Sequence, residues 1–368
     1  MRAPWRRPRL VFAYRYGIAG GVSTQLLNRF AAFAGAFDIH VLFSEDMGMV
    51  TAFPTGRAEA TPSREARIAA IRRLEPDIFV SIDDPEFLRA WRAAGRPGRC
   101  VLEVHTTYAS GLAYLDTPAA LEGVDLIVTV SDYMRRLLAD RGLGKQVAPI
   151  RVVPNCLDER WRAPDPSTPT PGPRLLWVGK VDAHKRWRSA TEIIARSTRE
   201  LRAAGSDARP VLIGGHSTSS AELRGLTARL RDSPELALAA WWPKVDYELM
   251  PSVFSSVAAG GGVVVSASAD ESFGMSVAEA LVCNCPVIAP RVGGLPELLP
   301  AEALYEPGDL ADGAARATRA VLDPDYRARL LSTVEQVRSA TDPRAAYAAY
   351  RKALRRIGQF GFSRTMST

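Results

Sequence analysis

The stretch from Val263 to Leu299, VVVSASADESFGMSVAEALVCNCPVIAPRVGGLPELL, restricts what this chain can fold into more than any other. It opens on three valines, Val263 to Val265, directly behind Gly260, Gly261 and Gly262. A β-branched apolar run this short, bounded by glycine, predicts a buried strand. A polar turn follows from Ser266 to Gly274. The Ala- and Leu-rich segment after it predicts a helix, with Ser276 as N-cap and Glu279 three residues on, the spacing of a capping box. The helix is expected to stop near Asn284, because Asn tolerates the left-handed conformation that follows a helix end and Pro286 cannot continue the helix. Pro286 to Ala289 reads as the next buried strand, closed by Gly293 and Gly294. Strand, loop, helix and strand in that order form a parallel βαβ crossover, which sets the fold class as α/β.

Within this unit two carboxylates, Glu271 on the loop and Glu279 in the first helical turn, flank the free backbone N–H groups of the helix start. Such a start attracts anions, phosphate above all. A carboxylate beside a phosphate site repels the phosphate unless it is aimed at hydroxyls, so the pair suggests a ligand that carries both phosphates and sugars. A bland assignment fits the same residues: Glu279 closes the capping box and Glu271 is a solvated loop acid.

Glu271 and Glu279, together with Phe273, Gly274, Ala280, Pro286, Val287, Gly293, Gly294 and Glu297, resemble in order and spacing the signature of the retaining glycosyltransferases of family 4, the glycosyl transferases group 1. The resemblance implies the GT-B fold: two doubly wound Rossmann-like domains facing each other across a cleft.

Length and composition are compatible with that expectation. At 368 residues two domains are the better prior, and 47% hydrophobic with 24% charged residues is a globular composition. The net charge of +7 comes mostly from Arg and favours anionic ligands or an anionic membrane face. No basic stripe interleaved with aromatics and no zinc or RNA-binding signature is present, so no nucleic-acid partner is expected. Cys100, Cys156, Cys283 and Cys285 contain no CxxC pair and no disulfide or zinc spacing, and a cytoplasmic, reducing setting is the default expectation. The basic opening segment has its apolar run interrupted by Arg15 and does not read as a signal peptide.

Taken in order, Leu10 to Ala13 predicts a first strand, followed by a glycine turn, Gly17 to Val22, and a helix from Ser23 to Phe33. Glycine lets a ligand approach the backbone there, but the order G-x-G-x-x-G of a dinucleotide site is absent, which disfavours a nicotinamide dehydrogenase. Strands are expected at Ile39–Phe43, 77–82, Val101–Val104 and Val124–Val130, with a helix from Ala66 to Leu74. His105 falls at the carboxyl end of its strand, where open parallel sheets bind ligands, although a capped loop histidine is the commoner fate of such a residue. Ser131 caps a helix from Asp132 to Arg141. The run from Asp125 to Asp158 resembles the family's approach to its interdomain linker, with Cys156 where Gly is usual. Residues 163–173 hold five prolines and predict a semi-rigid linker between domains at 1–162 and 174–341. Leu175 to Val178 then delivers Gly179, Lys180, His184 and Lys185 at a strand end. Two lysines five apart there can converge on a diphosphate, or be ordinary surface lysines. The family pattern carries Gly where this chain has Arg186. Val211 to Ile213 repeats the strand-then-glycine theme at Gly214, and Trp241 and Trp242 read as packing residues. Helices are expected at Tyr247–Val253, Asp309–Leu322 and Asp325–Ala340. A final helix, Pro343–Ile357, is suited to pack back on the first domain, and a tail ends the chain at 368.

The resemblance implies transfer of a hexose-type sugar from a UDP- or GDP-sugar to an acceptor hydroxyl, with retention, without a metal and without a further cofactor, in glycan, glycolipid or glycosylated natural-product biosynthesis. It implies catalytic roles for His105, Lys180, Lys185 and Glu271. Donor contacts are implied for Gly20, Gly21, Gly179, Gly214, Ser272, Phe273, Gly274, Met275, Ser276 and Glu279. A phosphorylase-like enzyme would need a pyridoxal lysine and a longer chain; a catalytically inactive GT-B binding subunit is the remaining alternative. Arg-rich helices such as Asp132–Arg141 fit peripheral contact with an anionic membrane and a solvated face equally well.

Overall fold

The structure, a computed structural model, describes residues 6–18, 20–161 and 172–358. The chain divides into two compact units, one of residues 1–158 with 340–368 and one of residues 159–339. Most of the proline-rich 163–173 segment and the end of the tail lie outside the described residues.

In the first unit β1 (Arg9–Gly17), β2 (Asp38–Asp46), β3 (Ala58–Ala60), β4 (Ile78–Ile82), β5 (Arg99–Val104), β6 (Leu126–Thr129) and β7 (Ile150–Val152) form one sheet in the order β3-β2-β1-β4-β5-β6-β7. Every pairing is parallel, with Ala13 opposite Ser81 and Ser81 opposite Leu102. Strands covered on both faces need unbroken apolar sequence, and Leu10, Phe12, Ile78, Val80, Val101, Leu126 and Val128 are all buried. The Gly21–Phe33 helix covers one face. The Pro343–Leu354 helix, capped by Asp342, joins it there through Tyr347, Tyr350, Ala353 and Leu354, with the Phe33 and Tyr350 rings 5.3 Å apart.

In the second unit β8 (Arg174–Val178), β9 (Arg209–Ile213), β10 (Ala240–Trp242), β11 (Val263–Val265), β12 (Val287–Pro290) and β13 (Leu304–Tyr305) form a parallel sheet in the order β10-β9-β8-β11-β12-β13. Each unit is thus doubly wound: the strand order reverses between β1 and β4 in the first and between β8 and β11 in the second. Such a switch point opens a crevice at the carboxyl ends of the strands.

Several boundaries differ from expectation. The Tyr247–Val253 segment is a 3₁₀ turn, Tyr247–Leu249, followed by an α-helix from Met250 to Ala259, because Pro251 fits only the first turn of a helix. The segment 325–340 is two helices, Pro324–Leu330 and Val334–Ala340, and between them the Thr333 hydroxyl donates to the carbonyl of Leu298. Trp242 lies on an edge strand and is 45% exposed, so it is not a core residue. Among the described residues no helix is long and apolar enough to cross a membrane.

Candidate functional site

The loops leaving β8 and β11 meet at the switch point of the second unit. The amide of Ala269 donates to the His184 carbonyl at 2.7 Å, which binds the two loops together. Across them Nζ of Lys185 lies 2.5 Å from Oε1 of Glu271, and the Ser268 hydroxyl donates to the same oxygen at 2.7 Å. Burial acts to raise the Glu271 carboxyl, but Lys185, together with the Ser268 hydroxyl and His184, outweighs it and holds the carboxyl below its ordinary range. Burial and the Lys185 charge push the His184 imidazole down. Lys180 is exposed on the same β8 loop, with no ion-pair partner among the described residues, so sequence separation of five does not place the two lysines alike. The turn into the Trp187–Ala203 helix keeps a left-handed residue, Arg186 at φ 43°, where the family carries Gly.

After Glu271 the chain passes Ser272 and buried Phe273 into the Met275–Val282 helix. Ser276 is not its N-cap. Gly274, at φ 92°, holds that position, and a Cβ on it would lie 2.6 Å from Leu295 Cδ2. The left-handed turn at Gly274 starts the helix early and puts Ser276 and Glu279 inside it, so no capping box forms. The amides of Met275 and Ser276 remain without an acceptor among the described residues, an anion-binding arrangement. The other end follows the expected chemistry: Asn284 is left-handed at φ 56°, and the amides of Cys285 and Asn284 donate to the carbonyls of Ala280 and Leu281, a Schellman motif.

Glu279 is only 7% exposed and its carboxyl has no hydrogen bond among the described residues. Burial raises it to about 8, against a smaller opposing pull from Lys185. A carboxyl left in that state, on the helix that begins at Met275, is available to a ligand bearing hydroxyls. Gly293, at φ 54°, supports the Glu271 loop from below: the Gly294 amide donates to the Glu271 carbonyl, and a Cβ at Gly293 would meet that same oxygen at 2.1 Å. Gly214 follows β9 with its backbone against the carbonyl of Gly179, and Trp241 Nε1 donates to the Gly214 carbonyl. Glu271, Lys185, Gly179, Gly274, Met275, Ser276 and Glu279 thus come together around one switch point.

In the first unit Gly20 and Gly21 form the turn from β1 into its helix, and a Cβ at Gly20 would meet only the Ile18 carbonyl at 3.9 Å. Nothing in the described fold therefore requires glycine at that position. His105 follows β5, and Oδ1 of Asp83, beyond β4, accepts from the amides of His105 and Thr106. The imidazole is 5% exposed, and Nε2 lies 3.3 Å from Oε1 of Glu103. Glu103 in turn is paired with Arg29, and both side chains are fully buried. Burial acts to raise the Glu103 carboxyl, but Arg29 and His105 hold it well below the usual carboxylate range. Sequence reading missed Ser268, Asp83, Arg29 and Glu103. The last carried a signal, a carboxylate between Leu102 and Val104 in a strand buried on both faces.

Comparison with known proteins agrees with this architecture. The family model described as Glycosyltransferase Family 4 matches residues 19–161, and that described as Glycosyl transferases group 1 matches residues 172–323. The chain belongs to this glycosyltransferase family. It is 30% identical over 263 residues to the D-inositol 3-phosphate glycosyltransferase of Kineococcus radiotolerans, covering 67% of this chain and 56% of that protein. It is 29% identical over 161 residues to the 2-deoxystreptamine glucosyltransferase of Streptomyces kanamyceticus, covering 42% and 37% respectively. The matched stretches therefore span about half or less of these relatives' lengths. Anabaena HepE, solved in complex with UDP and glucose, has the same fold, with a TM-score of 0.79 at 15% identity over 95% of this chain and 100% of that one.

Proposed function

We propose that this protein transfers a hexose-type sugar from a UDP- or GDP-sugar to an acceptor hydroxyl, with retention at the anomeric carbon and without a divalent metal. The observation that carries this is the meeting of Lys185, Glu271, Glu279 and the unpaired amides of Met275 and Ser276 at one switch point. It joins cations and amides suited to a diphosphate with carboxylates suited to hydroxyls. HepE's complex with UDP and glucose, and the acceptors named for the two glycosyltransferase relatives, support the choice of substrates.

In this mechanism Lys185, Lys180 and the helix-start amides stabilise the charge that develops on the departing diphosphate. Glu279 accepts from the ribose hydroxyls. Glu271, released from Lys185 as the phosphates engage that lysine, accepts from hydroxyls of the sugar and orients its ring. His105, at the carboxyl end of β5, is assigned a hydrogen bond to a sugar hydroxyl. The bond from the anomeric carbon to the phosphate oxygen breaks with its electron pair leaving on the phosphate. The acceptor oxygen forms the new bond on that same face, and its proton passes to the departing phosphate oxygen. No protein base is needed. The four cysteines are all buried and free, which supports a reducing, cytoplasmic setting. The surplus of positive charge supports peripheral contact with an anionic membrane, consistent with an acceptor destined for glycan or glycolipid.

Incubation with a panel of nucleotide sugars and polyhydroxylated acceptors tests the proposal. Mass detection of released nucleoside diphosphate is expected together with a product whose anomeric proton coupling matches the donor. No release from any donor, or a product of inverted configuration, would overturn it.

A further inference from the structure

The core of the first unit contains a charge network that packing alone does not ask for. Arg29, on the Gly21–Phe33 helix, and Glu103, on β5, form an ion pair with both side chains 0% exposed. The Arg29 guanidinium lies over the Tyr350 ring at 5.4 Å, so the Pro343–Leu354 helix closes the network from the other side. The pair is incompletely satisfied: Nε and Nη2 of Arg29, Oε2 of Glu103 and the Tyr350 hydroxyl are buried without a hydrogen-bond partner among the described residues. Such a network is costly, and apolar residues of similar volume at Arg29 and Glu103 would serve stability as well or better. What the network does reach is the carboxyl end of β5, where Nε2 of His105 is sealed from solvent and faces Oε1 of Glu103 at 3.3 Å, outside well-directed hydrogen-bond geometry.

We propose that Arg29 and Glu103 are positioning residues that hold the His105 proton on Nε2, so that His105 meets a bound sugar through Nδ1 as a hydrogen-bond acceptor. The physical reason lies in what each group can offer. A guanidinium has only donors, so Arg29 keeps Glu103 ionised, and an ionised carboxylate only accepts. A neutral imidazole facing that carboxylate through Nε2 avoids lone-pair repulsion only by carrying its proton there. Nδ1 is then left with a lone pair, which suits a hydroxyl hydrogen and repels a phosphate oxygen. The assignment of a sugar to His105 rests on the glycosyltransferase reading above; the placement of the proton does not.

The same bookkeeping of donors predicts which variant keeps the proton in place and which releases it. Oε1 of Glu103 is the atom that both Arg29 Nη1 and His105 Nε2 face, so in Glu103→Gln the amide oxygen stays there for Arg29, which can only donate, and the NH₂ takes the place of Oε2, which has no partner among the described residues. Nε2 still faces an acceptor and keeps its proton; removing the acceptor frees it. The test is long-range ¹H–¹⁵N spectroscopy at pH 7.5 of the full chain labelled with ¹⁵N-histidine. Its four histidines, His40, His105, His184 and His216, give few signals, and His105→Gln assigns the one of interest. The expected spectrum shows His105 protonated on Nε2 alone in wild type and in Glu103→Gln. With UDP-glucose as donor, the double variant Arg29→Met, Glu103→Leu should lose roughly two- to tenfold in kcat while its Kd for UDP is unchanged.

The double variant removes both charges and the acceptor, and should show His105 as a mixture of the two tautomers. A wild-type His105 proton on Nδ1, alone or with one on Nε2, would overturn the proposal, as would an Nδ1 tautomer in Glu103→Gln or an Nε2 tautomer that persists unmixed in the double variant. Absence of binding to any nucleotide sugar would instead refute the glycosyltransferase reading, and that is measured separately by titration.

Discussion

Glu279→Gln removes an ionisable group from a position that is 7% exposed while keeping its volume. In the folded chain burial places this carboxyl at about 8, far above the 4.5 of an unfolded glutamate. It therefore binds its proton more tightly folded than unfolded. The stability this contributes is complete below about 4.5 and is lost as pH rises through 8. At about 1.4 kcal/mol for each pH unit, the loss across that window is at most about 4 to 5 kcal/mol. Gln does not titrate, so the stability of Glu279→Gln relative to wild type should grow by up to that amount between pH 4.5 and 8.5. Every other titrating group cancels in the comparison. Denaturant unfolding of both proteins without ligand, at four or five pH values across the window, measures it. Nucleotide affinity should move the opposite way. If Glu279 accepts from the ribose hydroxyls, then at pH 9, where the free carboxyl has lost its proton, Gln weakens charge-assisted bonds and weakens UDP binding by about 1 to 2 kcal/mol, with a smaller effect on 2′,3′-dideoxy-UDP. A stability difference that stays flat with pH would refute the buried, displaced carboxyl. Equal wild-type affinity for UDP and its dideoxy analogue would refute the ribose assignment.

Lys185→Ala and Lys180→Ala should each lower kcat/KM by roughly ten- to a thousandfold, the value of one charge-assisted contact to a developing anion; unchanged kinetics in a folded variant would return that lysine to the solvated surface. Transfer should persist in excess EDTA, and activity abolished by the chelator and restored by magnesium or manganese would refute metal independence. Gly293→Ala should destabilise the second unit and lower sugar turnover together, since a Cβ there would lie 2.1 Å from the Glu271 carbonyl oxygen at φ 54°; a melting temperature and kcat at wild-type levels would show that the loop gives way freely.

Periodicity and glycine placement determined the fold. Val263–Val265, Leu175–Val178 and Leu10–Ala13 are apolar runs that can only be covered on both faces, and each has glycine near one end, at Gly262, Gly179 and Gly17, so parallel α/β units follow from local chemistry. Asn284 and Pro286 likewise announced a helix end that the Schellman motif bears out. Local chemistry misled at Ser276: its spacing from Glu279 matches a capping box, but the left-handed turn at Gly274 and the Leu295 side chain against it start the helix sooner, and that neighbour is distant in sequence. The pairing of Lys185 with Glu271 depends on β8 lying beside β11 across the reversal of strand order, which no window of sequence contains. The state of Glu279 depends on how completely its neighbours exclude water, and the Arg29–Glu103–His105 network depends on a helix crossing β5. Residue types and their spacing name the groups a chain can offer a ligand; three-dimensional packing sets which of those groups meet, which are dry, and so which carry charge.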